Sequence, residues 1–170
     1  TAPSLHWTQD SNAQGTISIY KLDAVSGKIL WEKPYGVHTV NGVSGGVQST
    51  PLLGKPGTNL DGMIYYAIAR TNTVDAGTLV ALDTETGEER WRLDMENYAW
   101  SSPVGVYDEK GNGYVVLCDS QGTAHFIDGA TGEVCDTLYL GGLVEASPAV
   151  YENTMVVGTR MKQIYGIRIK

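Results

Sequence analysis

The chain has 170 residues, 42% of them hydrophobic and 18% charged, with 21 glycines, ten tyrosines, four tryptophans and a single phenylalanine, which is the composition of about one globular domain. Twelve basic against 19 acidic residues leave a net charge of −7, and this argues against a nucleic-acid partner, because each phosphate contact needs a local Lys or Arg. No window approaches the ~18 to 20 consecutive apolar residues of a spanning helix, and two cysteines make neither a disulfide-dense framework nor a zinc cluster.

The chain opens on Thr1-Ala2-Pro3-Ser4, with no initiator Met and no charged start before an apolar stretch. A soluble piece, processed or excised from something longer, is the expectation. A short strand is predicted near Leu5 to Thr8. Asp10 to Gly15 resembles the first half of a calcium loop, but its twelfth position is Lys21, where a bidentate Glu is needed, so no calcium is expected there. Next comes LDAVSGKILW at 22 to 31, a phrase that returns as LDTETGEERW at 82 to 91 and IDGATGEVCD at 127 to 136. Each keeps an apolar residue, an Asp, and a Gly four residues later. The element is predicted to be a hairpin turn, in which the carboxylate accepts turn amides and Gly supplies a positive φ.

Gly42-Val43-Ser44-Gly45-Gly46 matches G-x-S-x-G, yet Val47 to Leu53 has the pattern of a strand, whereas a nucleophile elbow requires a helix after the Ser. The expected role is an inter-repeat loop. A second phrase alternates with the first: QSTP at 48 to 51, WSSP at 100 to 103 and EASP at 145 to 148. Pro103 to Pro148 and Gly87 to Gly132 both give a period of 45 residues. The repeat before them is longer, with eight extra residues between Trp31 and Pro51 and seven between Pro51 and Gly87. Met63 to Ala69, Tyr114 to Cys118, Thr154 to Gly158 and Ile164 to Ile169 are short, rich in β-branched and aromatic residues and bounded by turn formers. No stretch of helical length keeps an i, i+3, i+4, i+7 apolar stripe.

Four antiparallel strands per ~40 to 50 residues is the arithmetic of a β-propeller blade. In each unit strand A follows the Ser-x-Pro phrase, B is YVVLC or its equivalent, C ends at Leu22, Leu82 or Ile127, and D follows the turn. The phrase A/K-L-D-x-x-x-G-x-x-x-W followed by S-x-P resembles the pyrroloquinoline-quinone (PQQ) type propeller repeat, from about Ile17 to Lys170. The expected fold is therefore all-β, a propeller segment of about four blades at 1–36, 45–96, 99–141 and 144–170, the first and last incomplete. Fourteen strands are expected in all, B to D, two full sets, then A to C. The resemblance implies six to eight blades in a whole ring, so the chain is expected to be an arc of a larger propeller or to close with another chain through its open edges.

The same resemblance covers quinoprotein dehydrogenases and non-catalytic propellers such as the scaffold lipoprotein of outer-membrane protein assembly. It implies that Trp31 and Trp91, last in the turn phrase, dock against a neighbouring blade, and that Asp136 in the third copy breaks this pattern. A quinoprotein site would need, by resemblance, a full ring, a calcium and in many members a disulfide between adjacent cysteines; Cys118 and Cys135 are seventeen residues apart. No PQQ, calcium or other cofactor is expected, and the dehydrogenase is the minority alternative. His6, His38 and His125 carry no zinc-ligand spacing. Strand A is innermost in the assigned order, which puts Gln48, Trp100 and Glu145, each three residues before the repeated Pro, at one mouth of the central channel, with Tyr98 and His38 in the same connections. These five are the expected binding residues, for a protein or small ligand. The function expected is non-catalytic binding or scaffolding outside the cytoplasm. Strand C separates Cys118 from Cys135, so no disulfide is expected between these two partly buried thiols.

Overall fold

The structure is a computed structural model that describes residues 4–5, 14–40, 43 and 45–170. Among these residues there is no helix, and fifteen strands form four antiparallel sheets. The first sheet pairs β2 (Gln14–Leu22) with β3 (Ile29–His38). The second is built on β6 (Met63–Ala69), β7 (Gly77–Asp83) and β8 (Glu89–Met95), with β4 (Gly45–Gly46) and β5 (Leu52–Leu53) both pairing β6. The third runs in the order β12-β11-β10-β9, from Val134–Tyr139 through Thr123–Asp128 and Gly113–Cys118 to Val104–Tyr107. The fourth joins β13 (Ala149–Tyr151), β14 (Thr154–Gly158) and β15 (Ile164–Arg168). The chain is an all-β, propeller-like segment.

Side chains of a strand alternate between its two faces, and here each face meets a different core. Tyr66 and Ile68 of β6 turn to Ile17, Ile19, Tyr35 and Val37 of the first sheet. Tyr65 and Ala67, the alternate residues, turn to Val115, Leu117 and Ile127 of the third. Val116, Cys118 and Ala124 of the third sheet face Met155 and Val157 of the fourth. Three cores thus separate four sheets, and the sheets with neighbours on both sides have nearly continuous apolar strands, such as LVALD of β7 and VVLC of β10.

The hairpin turns follow from their sequence. The Asp23 carboxylate accepts the amides of Val25 and Ser26, Asp83 those of Glu85 and Thr86, and Asp128 those of Ala130 and Thr131, while Gly27, Gly87 and Gly132 have φ of 70, 72 and 81°. The hydrogen bonds from Ser26 hold the Asp23 carboxyl below its ordinary pKa; those from Arg90, Thr86 and Glu85 do the same for Asp83. Asp119, in the β10–β11 loop, is buried, which opposes its ionisation, yet hydrogen bonds from His125, Thr123 and Gln121 outweigh burial and lower its pKa. A carboxyl whose pKa is depressed by folding contributes stability above its unfolded pKa, near the ordinary value of 3.8, and loses it as pH falls through the folded value. The urea midpoint is therefore expected to hold down to about pH 5 and to fall steadily towards about pH 2. Asp119→Asn should flatten that fall; an unchanged slope would show that the buried carboxylate does not contribute to it.

Three expectations are corrected. Strand A of the second unit is not continuous from Val47 to Leu53: β4 and β5 flank residues 47–51, so fifteen strands replace the fourteen expected. Seven residues from Gly46 to Leu52 run beside only five from Ala69 to Tyr65, and the surplus cannot stay in the ladder. The opening strand, in its described part β1 (Ser4–Leu5), pairs Gly45–Gly46 in the second sheet, so it does not supply strand B of the first. Cys135 is exposed, not partly buried; Cys118 is buried, and both thiols are free. Burial pushes the Cys118 thiol up to about 12, so a thiolate-directed reagent should label Cys135 alone in the native protein and both cysteines after unfolding. Two labels on the native protein would show that the core over Cys118 opens.

Candidate functional site

Register places one end of the sheets together. Gly77 pairs both Ala69 and Met95, and Gly46 pairs Ala69, so the β6–β7 loop and the connection leaving β8 lie side by side. Hydrogen bonds repeat across this end. The Tyr98 carbonyl accepts the Ser120 amide at 2.8 Å, the Leu143 carbonyl accepts the Arg160 amide at 2.9 Å, and the His38 amide donates to the Arg70 carbonyl at 2.9 Å. The three Ser-x-Pro phrases are also joined: the Thr50 amide donates to the Ser102 hydroxyl at 3.0 Å and the Ser102 amide to the Ser147 hydroxyl at 3.1 Å.

The residues expected at a mouth fall along this end. Gln48 is exposed; His38, Tyr98, Trp100 and Glu145 are half-buried. The Tyr98 and Trp100 rings pack at a tilt of 45° with centroids 5.0 Å apart, and Glu145 pairs Arg160, whose Nε lies 2.7 Å from Oε2. One residue that sequence reasoning missed joins them. Arg70 places its guanidinium 4.3 Å from the centre of the Tyr98 ring, and Nη1 donates to the Val74 carbonyl. It belongs to residues 70–76, which connect β6 to β7 where only 119–122 connect β10 to β11. Three of the seven extra residues between Pro51 and Gly87 fall in this loop, and that surplus was its signal.

At the opposite end the tryptophans act between sheets. Trp31 Nε1 donates to the Thr84 carbonyl at 3.2 Å, and Trp91 Nε1 to the Gly129 carbonyl at 2.9 Å. Each ring lies on the turn glycine of the next unit: a Cβ on Gly87 would come within 2.6 Å of Trp31, and one on Gly132 within 2.7 Å of Trp91. At the third such place Asp136 is exposed, and a cavity of about 370 Å³ lies beside it, lined by Phe126, Leu138, Met155 and Ile167 among others.

Among the described residues no group of three or more His, Cys, Asp or Glu could hold a metal ion, and Cys118 and Cys135 lie on strands separated by β11. His125, on β11, is held at 3.0 Å by Asp119 of the β10–β11 loop. His6, the segment from Asp10 to Ala13, and Gly42 and Ser44 of the G-x-S-x-G match lie outside the described residues.

Similar proteins agree with this architecture. The "Outer membrane protein assembly factor BamB" of Burkholderia pseudomallei (strain K96243) is 29% identical over 161 residues, 91% of this chain and 34% of that protein. The protein of the same name from Kangiella koreensis is 33% identical over 90 residues, 52% of this chain and 22% of that one. The chain thus spans about a third or less of these relatives' length. A quinohemoprotein alcohol dehydrogenase, ADHIIG from Pseudomonas putida HK5, superposes with a TM-score of 0.53 at 14% identity, over 85% of this chain and 31% of that one, a likeness of fold alone. The family model described as outer membrane protein assembly factor BamB matches residues 75–170, more than half of the chain, and with the repeated turn, the Ser-x-Pro phrase and the sheet order this makes the chain a member of that PQQ-type propeller family.

Proposed function

We propose that the chain is a non-catalytic binding segment of an extracytoplasmic assembly scaffold, and that it meets a protein partner at the end carrying His38, Gln48, Tyr98, Trp100 and Glu145. The observation that carries this reading is the heterogeneous set of side chains at this end: buried Arg70 against half-buried Tyr98 and Trp100, and half-buried Glu145 paired with exposed Arg160. Aromatic residues and arginine are the types that most often anchor an interface, and loops held on a rigid scaffold are where binding is usually built. Membership of the assembly-factor family supports a partner drawn from outer-membrane protein assembly. The division into blades at 1–36, 45–96, 99–141 and 144–170 is part of the same proposal, as is the absence of a PQQ or calcium requirement.

Trp100→Ala should abolish or strongly weaken capture of partners from an envelope extract, while Val25→Ala, at the exposed far turn, leaves capture unchanged. Equal capture by wild type and Trp100→Ala, with both proteins folded by circular dichroism, would remove the site. Titration with PQQ in the presence of calcium is expected to give no saturable binding; a saturable isotherm would favour the dehydrogenase reading instead.

A further inference from the structure

Arg70 is 6% exposed, yet no carboxylate pairs with it among the described residues. A buried cation is ordinarily paired, because removing it from water without a counter-ion is costly. Its contacts are the Val74 carbonyl and the face of Tyr98, and its Nε is buried with no hydrogen-bond partner. Its backbone also has φ of 61°, a conformation that a non-glycine residue keeps only where its surroundings impose it. The Arg70 amide to the Ala76 carbonyl at 2.7 Å and the His38 amide to the Arg70 carbonyl impose it here. Asp75, in the same loop, is exposed and makes none of the ion pairs.

A second unpaired donor sits beside the same Tyr98 ring. Trp100 Nε1 is buried without a partner, and the Tyr98 ring lies near both the indole and the guanidinium. An indole N–H can only donate, and so can a guanidinium. Native structures leave few buried donors unmatched, and each calls for a reason. Here two of them, one cationic, meet on one aromatic residue at the end of the sheets where partners are proposed to dock.

We infer that this cluster is a receptor for a carboxylate presented by a polypeptide partner, either an acidic side chain or a C-terminus: Arg70 supplies the counter-charge through the free Nε edge of its fork, and Trp100 Nε1 donates a further hydrogen bond. The idea rests on the docking end proposed above and gives that end a chemistry. Both N–H groups are covered in the free chain, so the carboxylate enters as the Tyr98 ring moves aside. A guanidinium edge suits a carboxylate better than the point charge of a lysine does.

The probes are three short peptides: acetyl-Gly-Gly-Asp-Gly-Gly-amide, its Asn counterpart, and acetyl-pentaglycine with a free C-terminus. Amide spectra of ¹⁵N-labelled protein follow the Arg70 Nε–H and Trp100 Nε1–H resonances. The Asp peptide or the free C-terminus should move both resonances saturably, which tells the two carboxylate sources apart, and the Asn peptide should move neither. Arg70→Lys should weaken the effective peptide by ~10-fold or more. Trp100→Phe, which keeps the ring and removes the N–H, should weaken it while leaving the free protein's melting temperature unchanged or higher, since it removes an unmatched buried donor. Equal shifts with the Asp and Asn peptides, no shift with any peptide, or unchanged affinity in Arg70→Lys would each overturn the inference. Partner capture that is lost in Trp100→Ala but untouched in Arg70→Lys would sink the carboxylate chemistry and leave the docking end standing; capture untouched by either would sink both.

Discussion

Trp91→Ala is expected to destabilise the protein by about 3 kcal/mol, within the usual range for truncating a large aromatic residue. The ring is half-buried, which by itself would place the loss at the lower end. It also packs on Gly132, lies 5.7 Å from the Tyr65 ring and donates to the Gly129 carbonyl, so truncation opens a gap between two sheets and removes a hydrogen bond. Trp91→Phe separates these effects. It keeps most of the packing and loses the N–H, and the Gly129 carbonyl still accepts the Tyr65 hydroxyl at 2.9 Å, so about 1 kcal/mol is expected. Both values come from urea melts. A loss below about 1 kcal/mol for the alanine variant would show that the second and third sheets are held together without this residue.

Leu60→Ala is expected to cost about 3 kcal/mol, as deletion of a fully buried leucine usually does. Leu60 is 0% exposed and leaves the second sheet in the loop between β5 and β6 to fill the base of the core shared with the third. Gly113 and Gly129 are shaped around it: a Cβ on either would lie 2.4 or 2.7 Å from Leu60 Cδ1. Gly129→Ala alone should therefore destabilise by overpacking, by about 1 to 3 kcal/mol. In the double variant the new methyl enters the space that Leu60 vacates, so the combined loss should be smaller than the two single losses added together. Strict additivity would mean that the leucine and the glycine do not share that space.

How legible these features were depends on how far apart in sequence their causes lie. The turns were readable because everything they need sits within five residues: an Asp to accept amides and a Gly to turn. Strands such as Met63–Ala69 and Thr154–Gly158 were readable for the same reason, since β-branched and aromatic runs bounded by turn formers are local signals. The break of strand A into β4 and β5, and the pairing of Ser4–Leu5 with Gly45–Gly46, depend on register against a distant strand, which no local pattern specifies. The candidate site was half legible. Repetition of Ser-x-Pro marked Gln48, Trp100 and Glu145, but Arg70 has no counterpart to repeat, because it lies in a loop that only one unit extends. Its burial becomes apparent once Tyr98, 28 residues on, is seen lying over it.

The bonds that join Thr50, Ser102 and Ser147 all run the same way, each amide giving to the hydroxyl of the following unit. Ser102 thus contributes both an amide and a hydroxyl, Thr50 an amide and Ser147 a hydroxyl, and in each bond the mate lies in another unit. Removing a whole unit, from one Ser-x-Pro phrase to the next, would bring the Thr50 amide to the Ser147 hydroxyl and strand nothing; duplicating one would add a donor together with its acceptor. A deletion that is not a whole number of units puts the phrases out of step and leaves one of these groups without its mate. The arrangement makes the unit, rather than the strand or the hairpin, the quantum in which this chain can lengthen or shorten by duplication and loss.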